Sequence, residues 1–387
     1  MDILCNNLHK HMNKLCLDIG SKHCGSPELD KAGQYIAEVF ADEGYEVRKE
    51  EYPVRGWDYR SFSLYNVTQK CEVPAACACY FSNYVDIYDT PVWITNNEIN
   101  KLEELDIKGR LCFVASWNLG GNVFGYNALA EKLDSLGVAA AIFLNRGGHT
   151  QLAPSSKIER SPFLKNMGAV AIAEQGAIFM ANHKTDTYHL KIDANCYDTT
   201  AYNVIARIGR GAKKGVIGAH YDTAPLTQGA QDDTGGVAIM LEMARMMKNH
   251  LEDYMDEWTI DFAAFSAEEY IPHILPPGSG DYVERHKDED IRWFLNVDDV
   301  APHFAYHEVA ISNIEKLPDI RYPYEVVKAP LSGDDKSFHS IGVPTIWINA
   351  VKLYRELHTA MDNLEHTDFD CMCKMTNEYN ELLKQLL

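Results

Sequence analysis

The stretch Gly218-Ala-His-Tyr-Asp-Thr223, continued by Gly229-Ala-Gln-Asp-Asp-Thr-Gly-Gly236, decides how this chain reads. It closes an apolar run and opens a helix, the point at which an open α/β sheet collects ligands beyond the carboxyl ends of its strands. His220 and Asp222 are two residues apart, so in extended chain they share a face, and a carboxylate there can orient a metal-bound imidazole. A solvated strand end is the plain alternative. Asp232 and Asp233 precede Thr-Gly-Gly and a helix with the apolar face Val237, Met240, Leu241, Ala244 and Met247. One carboxylate of this pair can give an oxygen to each of two ions. The alternative is an aspartate that caps the helix.

Further along, Glu268 and Glu269 follow the run Thr259-Ile-Asp-Phe-Ala-Ala-Phe265, and Asp298 and Asp299 end Trp293-Phe-Leu-Asn-Val297. His358 stands in Leu-His-Thr-Ala-Met-Asp362. Each alone reads equally well as an exposed acid or imidazole. Together they supply oxygen and nitrogen ligands mostly at strand ends of one αβ module, which implies a two-metal hydrolase site. Two ions about 3.5–4 Å apart need this many ligands, one of them shared, and a water. No cysteine falls among them, which favours zinc, with cobalt or manganese as substitutes.

Composition sets the outer limits. A chain of 387 residues suggests two domains, and 46% hydrophobic with 24% charged residues is globular. The net charge of -20 argues against a nucleic-acid partner, which needs a basic face. No run approaches a membrane span, and the start Met1-Asp-Ile-Leu-Cys has no signal-peptide pattern. The expectation is a cytoplasmic protein with reduced thiols and no membrane partner, a homo-oligomer being left open. The ten cysteines include the pairs Cys77/Cys79 and Cys371/Cys373, which lack partners at zinc-finger spacing and read as structural.

Residues 2 to 17 read as a helix. Ser26 caps a second one that starts at Pro27 and stops at Gly44. Tyr45 to Tyr52 alternates like an edge strand. After Thr199 the pattern is strand, helix, strand, with apolar runs at 203–208, 215–220, 258–265, 291–297, 308–312 and 344–349. Helix candidates there are 234–248, 281–285, 337–340 and 368–386. Runs without alternation mark strands buried on both faces. The predicted fold is a three-layer αβα sandwich around a mixed, largely parallel sheet. Residues 1–70 and 191–387 form its catalytic domain, and a small α/β domain at 71–190 is inserted between them.

The order His-x-Asp, Gly-Ala-x-Asp-Asp-x-x-Gly, Glu-Glu, Asn-x-Asp, His-Thr-x-x-Asp resembles the co-catalytic zinc aminopeptidases of clan MH, of the bacterial leucyl aminopeptidase and aminopeptidase Y type. The resemblance covers about 1–70 and 191–387, including the Gly-Ser-Pro-Glu loop. The segment from Asp106-Ile-Lys-Gly to Asn145 looks like the protease-associated (PA) domain found in that family. The resemblance implies two zinc ions: His220, Asp232 and Asp298 on one, and Asp232, Glu269 and His358 on the other. It implies Glu268 as general base, Asp222 as the group orienting His220, and a cis peptide between Asp232 and Asp233. The implied reaction is removal of the N-terminal residue of a peptide with a free amino end, through attack of a metal-bridging water activated by Glu268.

Three departures stand out. Tyr270-Ile-Pro-His-Ile-Leu-Pro-Pro delays the expected Gly278-Ser279. Asp335 takes the place of a frequent histidine in Gly333-Asp-Asp-Lys-Ser-Phe338. Leu357 stands where some relatives have an oxyanion-binding tyrosine, with Tyr354 as a candidate replacement. The competing readings are a carboxypeptidase or dipeptidase of the same clan, using Lys336 or Arg355 for a substrate carboxylate, a single-zinc glutaminyl cyclase, and a non-catalytic binding protein of the transferrin-receptor kind.

Overall fold

A computed structural model describes residues 3–115, 123–144, 164–270, 275–303, 307–314, 325–328, 333–350 and 357–387. The chain divides into two compact units. One comprises 1–54, 200–357 and 362–387, the other 55–199 and 358–361.

In the first unit the strands run in the order Glu325–Val327, His307–Ser312, Thr345–Ala350, Asp290–Asn296, Lys213–His220, Trp258–Phe265, followed by the 200–209 part of Tyr188–Gly209. Lys213–His220 pairs in parallel with both Trp258–Phe265 and Asp290–Asn296, and Asp290–Asn296 pairs in parallel with Thr345–Ala350. Tyr188–Gly209 and His307–Ser312 join antiparallel. The sheet is thus mixed, with a parallel centre. Every residue of Trp258–Phe265 is buried, as a strand covered on both faces must be.

Alternation along that strand sends neighbours to opposite layers. Ala263 and Phe265 join Val216, Phe294, Tyr282 and Phe338 in one cluster, under the helices Pro277–Arg285 and Asp335–Ser340. Phe262 meets Phe40 of the helix Pro27–Asp42 on the other side. Full burial of a phenylalanine contributes about 1.5–3 kcal/mol, so both layers hold the sheet.

Several ends follow local rules. Ser26 accepts the N–H of Leu29 at 3.2 Å, and Asp368 accepts that of Cys371 at 2.9 Å, each capping a helix. Two readings need correction. The first helix is α-helical only over Ile3–Met12 and continues as a π-helix over Asn13–Ile19, where Gly20 N–H donates to Leu15 O, five residues back. The strand begun near Tyr45 runs on through Glu46–Asn66, 21 residues, because pairing continues where the apolar alternation fades.

The second unit has its own five-stranded sheet, ordered Ala76–Ala78, Gly168–Ile172, Ala140–Leu144, Leu111–Val114, Val92–Ile94. The last four are parallel and the first is antiparallel. Ile94, Leu129, Leu133, Phe143 and Ala171 lie in its core.

Candidate metal centre

Three adjacent parallel strands deliver the acidic and imidazole groups. His220 is the last residue of Lys213–His220 and stands in register with Phe265, after which come Glu268 and Glu269. Gly218 stands in register with Asn296, just before Asp298 and Asp299. Strand ends that line up bring side chains far apart in sequence to one rim. The backbone there is strained: Ala267, Asp299 and His358 have φ of 61°, 51° and 62°. Non-glycine residues in that region cost about 1–3 kcal/mol each and cluster at functional sites.

His220 Nε2 lies 3.0 Å from Asp232 Oδ1 and 3.5 Å from Asp298 Oδ1, so one imidazole nitrogen and two carboxylates crowd together. Asp232, Glu269 and His358 each offer a ligand atom within 4.8 Å of the other two, and so do Asp232, Asp298 and Asp299, and His220, Asp233 and Asp298. Asp232 is common to two of these groups.

Asp233 differs from its neighbour. Its Oδ1 accepts the N–H of Gly236 at 2.9 Å and its Oδ2 that of His220 at 3.2 Å. The first is a helix-capping bond and the second ties the helix start to the strand end. The capping role thus falls to Asp233, which also lies within the group of His220 and Asp298, while Asp232 belongs to the other two groups. The peptide between them is cis. A Cβ on Gly236 would meet Val297 O at 2.0 Å and Asp233 Oδ1 at 2.2 Å, so only glycine fits there.

His220 Nδ1 lies 3.0 Å from the backbone oxygen of Asp222 and 3.5 Å from its Oδ1. The two carboxylate oxygens of Asp222 accept the N–H groups of Glu268, at 3.1 Å, and Glu269, at 3.0 Å. The position of Glu268 is marked by Gly333, where a Cβ would lie 3.2 Å from Asp298 Oδ2 and 3.7 Å from Glu268 Oε1.

The electrostatics call for added positive charge. Burial and then the charge of Asp298 push the carboxyls of Asp233 and Asp299 well above the usual range. Burial opposes protonation of His220, but Asp298, Asp222 and Asp232 outweigh it and raise its pKa well above the ordinary value. Asp334 is raised by burial, with Glu268 and Asp298 adding to the shift against the charge of His220. Crowded carboxylates that gain protons so readily suit a divalent cation in the proton's place. One imidazole with several carboxylates is a donor set that zinc accepts.

Gly333, Asp334 and Lys22 carry no signal in the sequence. Glycine in a polar segment and a lysine between helices carry no spacing signal. Tyr354, Arg355 and residues 271–274 lie outside the described residues, whereas Lys336 is half-buried. Among the described residues no helix is long and apolar enough to cross a membrane.

Known proteins resemble this chain in sequence and in fold. Residues 203–381 match the sequence model of peptidase family M28. Aminopeptidase YwaD of Bacillus subtilis (strain 168) is 28% identical over 200 residues, 48% of this chain and 38% of that protein, so the match spans less than half of that relative's length. The solved structure of BSAP, a zinc aminopeptidase from Bacillus subtilis, superposes with a TM-score of 0.77 at 18% identity, covering 98% of this chain and 94% of that one. An aminopeptidase from Aneurinibacillus sp. strain AM-1 gives 0.68 at 22%, covering 99% and 93%.

Proposed function

We propose that the protein is a zinc-dependent aminopeptidase of peptidase family M28 that removes the N-terminal residue of peptides, a reading supported by the match of residues 203–381 to that family's sequence model. The observation that carries this reading is the crowding of buried His220 Nε2 against the carboxylates of Asp232 and Asp298. His220, Asp232 and Asp298 would hold one ion, and Asp232, Glu269 and His358 a second. Bound there, zinc would act as a Lewis acid toward the peptide carbonyl and lower the pKa of water toward about 7.

The chain's own residues do the rest. Glu268 takes a proton from the attacking water and returns it to the leaving amine as the C–N bond breaks, so that one water is consumed per peptide bond. Asp222 holds Glu268 and Glu269 by their backbone N–H groups. The surrounding carboxylates attract the free α-ammonium of the substrate, which favours cleavage at the amino end. Residues 71–190 are read as an inserted protease-associated domain. Ten cysteines scattered along the sequence suit a reducing compartment, and a cytosolic location is part of this proposal. The two ligand groups sharing Asp232 favour two ions over a single-zinc cyclase.

The test is Glu268→Gln assayed on an aminoacyl substrate, with metal counted by mass spectrometry. The proposal expects about 10²–10⁴-fold loss of kcat with two zinc ions retained. Undiminished turnover overturns the assignment.

A further inference from the structure

Lys22 and Lys214 are the lysines buried among the described residues. Lys214 sits 3.2 Å from Asp261 and also contacts Glu289. Lys22 is different. No carboxylate of a described residue forms an ion pair with it. Its ammonium donates instead to the backbone oxygens of Gly20 at 3.0 Å, Gln228 at 3.1 Å and Leu15 at 3.5 Å. A lysine is almost never buried without a partner, so one held by carbonyls alone calls for a reason.

Its position supplies one. Leu15 belongs to the π-helix Asn13–Ile19 and Gly20 ends it. Gln228 lies in the loop that joins His220 to Asp232. The same loop is fastened beside Lys22, where Lys22 N–H donates to Thr223 Oγ1 at 2.9 Å and Thr223 N–H to Lys22 O at 3.2 Å. From Gln228 the framework continues, since its Oε1 accepts Leu364 N–H at 2.9 Å while Gln231 N–H donates to Asp362 at 2.8 Å. Burial lowers the pKa of this amine, against the opposing charges of Cys16, Asp362 and Asp222.

We propose that Lys22 is a positioning residue for the metal centre, its buried ammonium holding the loop between Thr223 and Gly229 so that His220 and Asp232 face one ion. The proposal rests on the zinc peptidase reading. Lys22 touches no substrate. It acts through the Gln228 carbonyl and by placing positive charge behind Asp222, the residue that grips Glu268 and Glu269.

The experiment uses the full chain with Lys22→Met, which keeps length and loses charge and donors, and Lys22→Arg, which keeps both. Zinc affinity is measured by competition with a chromogenic chelator, beside Tm, kcat and KM. The expected result for Lys22→Met is zinc binding weakened about 10–100-fold, the range seen when supports of metal ligands are removed. Its kcat falls, KM stays within about twofold, excess zinc restores part of kcat, and Lys22→Arg lies between it and the parent. Zinc affinity within about twofold of the parent in folded Lys22→Met overturns the proposal even if Tm drops. Failure of both variants to fold overturns it too, since Lys22 would then serve the fold as a whole. A parent that binds no zinc sinks the peptidase reading itself.

Discussion

Asp222 Oδ1 accepts the backbone N–H of Glu268 at 3.1 Å, across 46 residues of sequence. Its Oδ2 takes the next N–H, that of Glu269, at 3.0 Å. One buried carboxylate thus fixes the turn that carries the proposed base and a proposed ligand. Asp222→Asn keeps a single acceptor and turns an NH2 toward one of the two donors. A buried donor left unmet costs about 1–3 kcal/mol. The expected outcome is a Tm lowered by several degrees and kcat reduced about 10–100-fold, read by thermal melts and steady-state kinetics. An unchanged kcat would mean that the Glu-Glu turn is held by other contacts.

Gly236→Ala should be poorly tolerated. The added methyl would sit 2.0 Å from Val297 O and 2.2 Å from Asp233 Oδ1, both fixed by the sheet end and the helix cap. Overpacking typically costs about 1–3 kcal/mol, and rigid neighbours put this case at the upper end. Chemical denaturation of parent and variant measures it.

Asp261 anchors a charge network away from the proposed centre. Arg207 grips both its oxygens at 2.7 and 2.8 Å, Lys214 lies at 3.2 Å, and Tyr282 donates at 2.7 Å. Burial alone would raise its pKa, but the Arg207 hydrogen bonds and the charges of Lys214, Arg207 and Arg48 hold it well below the ordinary range. A folded pKa depressed below the unfolded value of about 3.9 stabilises the protein above that pH, and the contribution is lost only as pH falls further. Asp261→Asn should therefore cost about 3–5 kcal/mol at pH 7 and at pH 5 alike. The gap in Tm should narrow only below about pH 4. A gap that already closes near pH 6 would contradict the depressed pKa.

Metal removal offers a fourth check. Ligands that exist only in the folded chain couple binding to stability, and free zinc at about a thousandfold over its Kd adds about 4 kcal/mol. Dialysis against a chelator should lower Tm and abolish hydrolysis, and added zinc should restore both. Acid should act like the chelator, because His220 and the carboxylates must shed protons to bind. A chelated protein with the parent's Tm would argue against ions at this rim.

Much of the framework was legible because it depends on short-range chemistry. The apolar runs at 215–220 and 258–265 are strands because nothing else buries every side chain of so short a segment. Ser26 reads as a cap because a helix start needs an acceptor. The π turn at Asn13–Ile19 was not legible, since it depends on where the Leu15 carbonyl finds its donors. The twin bond of Asp222 to Glu268 and Glu269 has no signature either, because spacing in sequence says nothing of which strand lies alongside.

By itself, then, the order of residues determined the αβ architecture and the candidate groups, since periodicity, capping and the chemistry of His, Asp and Glu are local properties. Only the tertiary structure decided that Asp233 bonds both the helix start and the strand end, and that Lys22 reaches the loop between His220 and Asp232. Those contacts join separate segments of the chain, and which segments meet is set by packing across the whole fold rather than by any one of them.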